Sequence, residues 1–176
     1  MKITKEYEGL VRAENGDYVL QGDLICHEDL EIDLDDRLLV AGKIFVDGYI
    51  TSKDSLYAGG DLEATGTIRI LECLSASGCI SSDQSIEVGF SIQSNQDIKA
   101  HWGLSVGNRI KAFGCIEVGD GILAGMDIEA GSFISAGNRI FAGVHPLDTN
   151  EECKKTITCA ELRSGEICYG ELYIRD

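Results

Sequence analysis

From Ile32 to Ile140 every sixth residue is Ile or Leu, nineteen positions in unbroken succession. The residue two places after each is small or aliphatic, as in Leu34, Val40, Ala58, Ile70, Ala100 and Ala130. Residues two apart on an extended chain share a face, so each pair marks the inward side of a short strand. The restart at six then requires a bend after every strand. A helix would need spacings of three and four, and a heptad repeat drifts out of this register. What remains is a stack of coils, in which no coil buries its apolar face alone and neighbouring coils share one core. The predicted fold is all-β, a single-stranded parallel β-helix: a triangular solenoid with about 18 residues per coil and about six coils.

Residues eighteen apart should stack in three columns, starting at Ile32, Leu38 and Ile44. The first runs Ile32, Ile50, Ile68, Ile86, Leu104, Ile122, Ile140, with bulkier companions such as Leu34, Ile70, Val88 and Val106, so the faces are not equivalent. Six coils at a strand spacing of roughly 4.8 Å give a prism about 30 Å long. Gly59-Gly60, Gly107-Asn108 and Gly137-Asn138 fall at bends, where these residue types tolerate positive φ.

The chain, 1–176, divides as one domain into an amino-terminal cap (1–31), the β-solenoid (32–143) and a carboxyl-terminal cap (144–176) opened by the only proline, Pro146. Asn15-Gly16, between β-prone stretches, predicts a hairpin turn. Ile157, Leu162, Ile167 and Leu172 are spaced by five, which predicts further strands of a different coil size. Both caps are rich in charge. Charged, irregular ends block the polymerisation that bare strand edges would template, so a free monomer is expected.

No apolar run approaches the roughly 18 residues of a membrane span, and no charged-then-apolar leader is visible, so a cytoplasmic protein without a membrane partner is expected. The seven cysteines form no CxxC pair and read as reduced thiols.

The net charge of −15 is uneven: residues 1–36 hold eleven acids and three bases. The densest run is Glu28, Asp29, Glu31, Asp33, Asp35 and Asp36. Nucleic acid is disfavoured as a ligand because phosphate neutralisation requires a basic stripe. Asp33, Asp35 and Asp36 resemble part of a calcium loop, but the sixth-position glycine and the distal glutamate of an EF-hand are missing, so no metal is assigned. Leu39, Phe45, Tyr49 and Tyr57 should point to solvent beside the acidic run. These ten residues are the candidate docking residues for a basic protein, aromatic anchors supplying affinity and charge supplying steering; the four apolar ones lie on different faces, so two or three share one patch, and packing under the amino-terminal cap is the alternative. Reversing Asp33, Asp35 and Asp36 to lysine is expected to abolish binding and leave the fold intact. Phe90, Trp102, Phe113 and Met126 fall at predicted corners, where a Trp is expected to lie over the neighbouring coil.

An enzyme is not expected, and no cofactor is implied. His27, His101 and His145 are far apart, one per segment. Cys26 and His27 are adjacent, so on a strand they point to opposite faces and cannot act as a nucleophile and base. Three converging histidines of a zinc hydrolase are absent as a spacing. Cys79 and Cys115 should face outward on one side, two coils and roughly 10 Å apart, too far for a disulfide.

Two resemblances bear on function. The aliphatic-then-small order of the repeat is similar to that of bactofilin-type cytoskeletal β-helices, which implies a right-handed coil and self-assembly into filaments. The match covers the central repeat; the charged caps and high acid count depart from it. The runs Gly121-Ile122-Leu123-Ala124-Gly125 through Ile128-Glu129-Ala130-Gly131, and Thr156-Ile157-Thr158-Cys159 through Gly165-Glu166-Ile167-Cys168-Tyr169-Gly170, resemble small glycine-rich proteins of interbacterial toxin systems. That resemblance implies a bacterial immunity protein. Its partner would be a basic toxin, a nuclease delivered by contact-dependent inhibition or a related system. A rigid acidic inhibitor suits the basic groove of a nuclease, since a preorganised surface loses little entropy on binding. A self-assembling scaffold is the alternative.

Overall fold

The computed structural model describes residues 1–143 and 155–175. Pro146, His145 and Cys153 lie outside the described residues. The chain winds as a parallel β-solenoid of about eight turns, three short strands to a turn. In chain order each turn lays a strand on face C, then B, then A. Face C begins with Tyr18–Leu20, face B with Leu24–Cys26 and face A with Leu30–Ile32. Each strand pairs in parallel with its equivalent one turn on, eighteen residues away through the repeat, as in Leu62 with Ile80 and Ile98 with Ile116. The inward pair of every strand from Leu38–Val40 to Ile128–Ala130 is buried, the residue between them faces outward, and the apolar inward residues form one continuous core. Removing each Ile or Leu from water contributes about 1.5–3 kcal/mol, which is why the aliphatic repeat dominates the fold.

The coils extend beyond the unbroken repeat at both ends, which raises six turns to eight. Before Leu38, the spacing to the next turn is twenty residues: Tyr18 pairs with Leu38, Leu24 with Ile44 and Leu30 with Ile50. The column expected to start at Ile32 therefore starts at Leu30, and Ile32 stacks on Ser52. The two additional residues enlarge the corner between Ile32 and Leu38, where Leu34 turns inward at 5 % exposure and the acids Asp33, Asp35 and Asp36 turn out. After the repeat, Ile157 stacks on Ile128, Leu162 on Ile134 and Ile167 on Ile140, and Leu172 follows Ile157 after fifteen residues. The five-residue rhythm thus builds a narrower last coil, which meets the eighteen-residue coil above it through register shifts.

The amino-terminal segment covers two of the three edges of the first coil. Lys2–Ile3 pairs with Leu30–Ile32 on face A. Leu10–Arg12 pairs antiparallel with Tyr18–Leu20 on face C, joined through the turn at Asn15-Gly16, where Gly16 has φ of 96°. The corner glycines have a different reason from the one expected. Gly107 and Gly137 do not have positive φ; a Cβ on either would lie 2.0 Å from the carbonyl oxygen of the residue one turn before it. They are glycine because adjacent coils approach too closely for a side chain.

Candidate protein-binding edge

The acidic run wraps the first coil, but it is not a bare anionic surface. The chain's own amino-terminal strand lies along it. The terminal amine sits 3.0 Å from Glu28, and Lys2 Nζ is 2.8 Å from both Glu31 and Asp33. Lys53 reaches Asp33 at 2.8 Å from the next coil, and Lys5 meets Asp35 at 2.6 Å. Asp35 also accepts a 2.8 Å hydrogen bond from the Tyr18 hydroxyl. Hydrogen bonds from Lys2 and Lys53 hold the Asp33 carboxyl at about 2, and those from Lys5 and Tyr18 hold Asp35 at about 2. Asp29 Oδ1 accepts the Tyr49 amide at 2.9 Å, and Asp36 Oδ1 accepts the Arg37 amide at 2.9 Å. Arg37 in turn pairs with Asp17, and that guanidinium lowers the Asp17 pKa. These acids fasten the first coil. Reversing Asp33, Asp35 and Asp36 would cut those contacts, so the expectation of an untouched fold does not survive the geometry.

The four apolar residues lie on different faces, as their register in the repeat requires. Leu39 and Tyr57 are neighbours on the outside of face C, and the Tyr57 hydroxyl lies 2.6 Å from Ser77 Oγ. Phe45 stands on face B between Ile25 and Glu63. Tyr49 occupies the corner where face B turns into face A and is 48 % exposed. Beside it, Met1, Lys2, Asp29, Tyr49, Thr51 and Arg69 line a surface hollow of about 660 Å³.

The B-to-A corner brings together three of the expected residues, Glu28, Asp29 and Tyr49, with others that the sequence reading did not group with them. It carries Glu28 and Asp29 on the first coil, Asp47 and Tyr49 on the second, and then Asp83, Trp102 and Asp120 on successive coils, all of them exposed. Backbone bonds fix the order of one column: Trp102 N donates to Gln84 O at 2.9 Å, Asp120 N to Trp102 O at 2.7 Å, and Asn138 N to Asp120 O at 3.0 Å. From Asp47 to the turn of Asp120 is four coils, about 19 Å at roughly 4.8 Å per coil. Asp47 and Asp120 meet only neutral donors, Thr65 Oγ1 at 3.2 Å and Asn138 Nδ2 at 3.1 Å. Among the described residues, none of Asp47, Asp83 and Asp120 has an ion-pair partner. Trp102 does not lie over a neighbouring coil as expected: it is 60 % exposed, in edge contact with the His101 ring at 6.1 Å between centroids. Phe90 and Phe113 are also exposed, each on a different corner, and so add nothing to this edge.

Other acids serve the coil itself. At the corner where face C turns into face B, Asp23, Asp61 and Asp97 accept the amides of Lys43, Cys79 and Cys115 at 2.9, 2.8 and 2.8 Å. Cys79 and Cys115 do share this corner two coils apart, but Cys115 is buried rather than outward, and burial pushes its thiol up to about 12. Among the described residues, no three His, Cys, Asp or Glu side chains converge as metal ligands, and no helix is long and apolar enough to cross a membrane.

Comparison with family models, curated proteins and solved structures found no match to this chain.

Proposed function

We propose that this chain is a non-enzymatic binding protein that holds a basic protein along the B-to-A corner. The observation that carries this reading is the placement of exposed Trp102 and Tyr49 on one edge with Asp47, Asp83 and Asp120, acids that no cation within the described chain neutralises. Large aromatic side chains surrounded by polar groups are the usual energetic centres of protein interfaces. Unneutralised acids along a ridge attract a basic partner from a distance and set its orientation. A stacked solenoid presents both on a rigid frame, so little ordering entropy is lost on binding.

The finer reading follows the resemblance of the closing motif. The partner is a toxin with a basic substrate groove, a nuclease, and this chain is its immunity protein in the bacterial cytoplasm. The test is to purify the partner on the tagged chain, measure stoichiometry and salt dependence, and assay its nuclease activity with increasing amounts of the chain. One-to-one binding that weakens steeply with salt and silences the nuclease supports the proposal. A neutral or acidic partner bound independently of salt contradicts it.

A bactofilin-like scaffold draws on one observation, the exposure of Leu172, Tyr173 and Ile174 at the far end of the solenoid. A filament needs two open ends, whereas Lys2–Ile3 and Leu10–Arg12 cover most of the near end. The binding reading is therefore preferred.

A further inference from the structure

Two of the expected anchors, Leu39 and Tyr57, belong to a longer apolar row. On the outside of face C, Val11 lies beside Val19, Val19 beside Leu39, and Leu39 beside Tyr57, one residue on each of four neighbouring strands. At roughly 4.8 Å per strand the row is about 14 Å long. Val11 is 58 % exposed and the other three are partly exposed. The amino-terminal hairpin thus lengthens the row instead of folding over it. Beyond Tyr57 the next outward residues are Ser75 and Gln93, and the row ends there.

Acids border the row on both sides. Where face A turns into face C, Asp36, Asp54 and Glu72 follow one another on successive coils, and Asp23 and Asp61 stand where face C turns into face B. Among the described residues, none of these five has an ion-pair partner. The bases nearby are engaged or flanked by acid. Arg37 holds Asp17, Arg12 lies over the Tyr18 ring at 5.2 Å, and Lys43 stands between Asp23 and Asp61 on its column. An apolar row between two acidic margins complements an apolar stripe between two basic ones.

Spacing selects the element that carries such a stripe. A helix advances about 5.4 Å per turn, close to the roughly 4.8 Å between coils, so one laid along the solenoid axis offers an apolar residue to each coil. A strand laid the same way repeats its face about every 6.6 Å and falls out of step. Strand addition is not available here either, because Leu38–Val40 is already paired on both sides.

We infer that the outside of face C over the first three coils is a second docking surface, and that it takes a basic amphipathic helix lying along the solenoid axis. Apolar side chains one turn apart on that helix sit against Val19, Leu39 and Tyr57, and its lysines and arginines meet the acids on either margin. This goes beyond the proposed function. The B-to-A corner is the edge of the prism opposite face C, so both surfaces can be occupied at once.

The test uses the full chain and a synthetic peptide of about 14 residues, four helical turns, with leucine along one face and lysine on both flanks. A scrambled peptide of the same composition is the control. A peptide of this length is mostly unfolded alone, and the described residues of the chain contain no helix, so helical circular dichroism on mixing reports the bound peptide. The amphipathic peptide should gain helicity and bind with micromolar affinity, at least tenfold tighter than the scrambled one. Leu39→Ser and Glu72→Lys should each weaken binding about tenfold. Val11→Ser, at a more exposed position of the same row, should weaken it too should Leu39→Ser fail to fold. Trp102→Ala removes the anchor of the other surface without altering charge and should bind the peptide as the parent does. Absence of binding, equal binding of the scrambled peptide, or full affinity in the Leu39, Val11 and Glu72 variants overturns the inference. Loss of binding with Trp102→Ala places the peptide on the B-to-A corner, which overturns the inference and leaves the proposed function standing.

Discussion

The Tyr18 hydroxyl donates to Asp35 Oδ1 at 2.8 Å, joining a buried residue of the first coil to the acidic corner seventeen residues later. The bond shows what that corner does. The two residues by which the first turn exceeds the others carry Asp35 to where Tyr18 and Lys5 both reach it. Tyr18→Phe keeps the ring in the core and removes only the hydroxyl. It should lower the urea midpoint while leaving the slope of the transition unchanged, because the folded and unfolded surfaces stay the same. A midpoint equal to that of the parent chain would show that the corner is not fastened in this way.

Acid should loosen the same end of the molecule. Asp33 and Asp35 titrate at about 2 in the folded chain, below the usual carboxylate value near 3.9. Their contribution is therefore fully present above about pH 4 and is lost as pH falls through 2. Asp35 is exposed and Asp33 partly so, and added salt should therefore shrink the effect. Urea unfolding at pH 5, 3 and 2, with and without 0.5 M salt (about 0.5 M suffices to shorten screening well below 10 Å), checks this. Asp33→Asn should flatten the profile.

Inside the solenoid the small residues matter as much as the large ones. Ala130 is fully buried on face C, between the coils of Ala112 and Ile157. Ala130→Leu inserts atoms where the coil has no room and should cost about 1–3 kcal/mol or more, measured by thermal or urea unfolding.

Ser94 is fully buried and fully used: its hydroxyl lies 2.7 Å from Gly78 O and accepts the Gln96 amide at 3.0 Å. Ser94→Ala leaves that amide and carbonyl without their partner at a corner and should cost about 1–3 kcal/mol. Ser75→Ala, outward on the same face one coil before, should be neutral by the same measurement.

The repeat was legible because burial on one side of a six-residue unit leaves a mark at every Ile or Leu from Leu38 to Ile140. The start was not, because Leu30, Ile32 and Leu34 are all apolar and offer two overlapping inward pairs. Only the partners of Tyr18 and Leu24 choose between them. The pairing of Lys2 and Lys5 with acids about thirty residues on depends on where the first strand docks, which no local pattern records. The B-to-A corner could have been found by reading the eighteen-residue columns at the bends as well as within the strands. Asp47, Asp83, Trp102 and Asp120 fall on two adjacent columns there, eighteen or more residues apart in sequence, whereas the acids of the first coil are crowded into a single run.

The most direct test of the binding account is capture from the source cell by the tagged chain, run beside a variant carrying Asp83→Lys, Trp102→Ala and Asp120→Lys. All three positions are exposed, so the variant should unfold as the parent does. The account predicts that the parent retains one basic protein in stoichiometric amount and the variant retains none. Equal retention by the variant, or no retained protein with either, would contradict it.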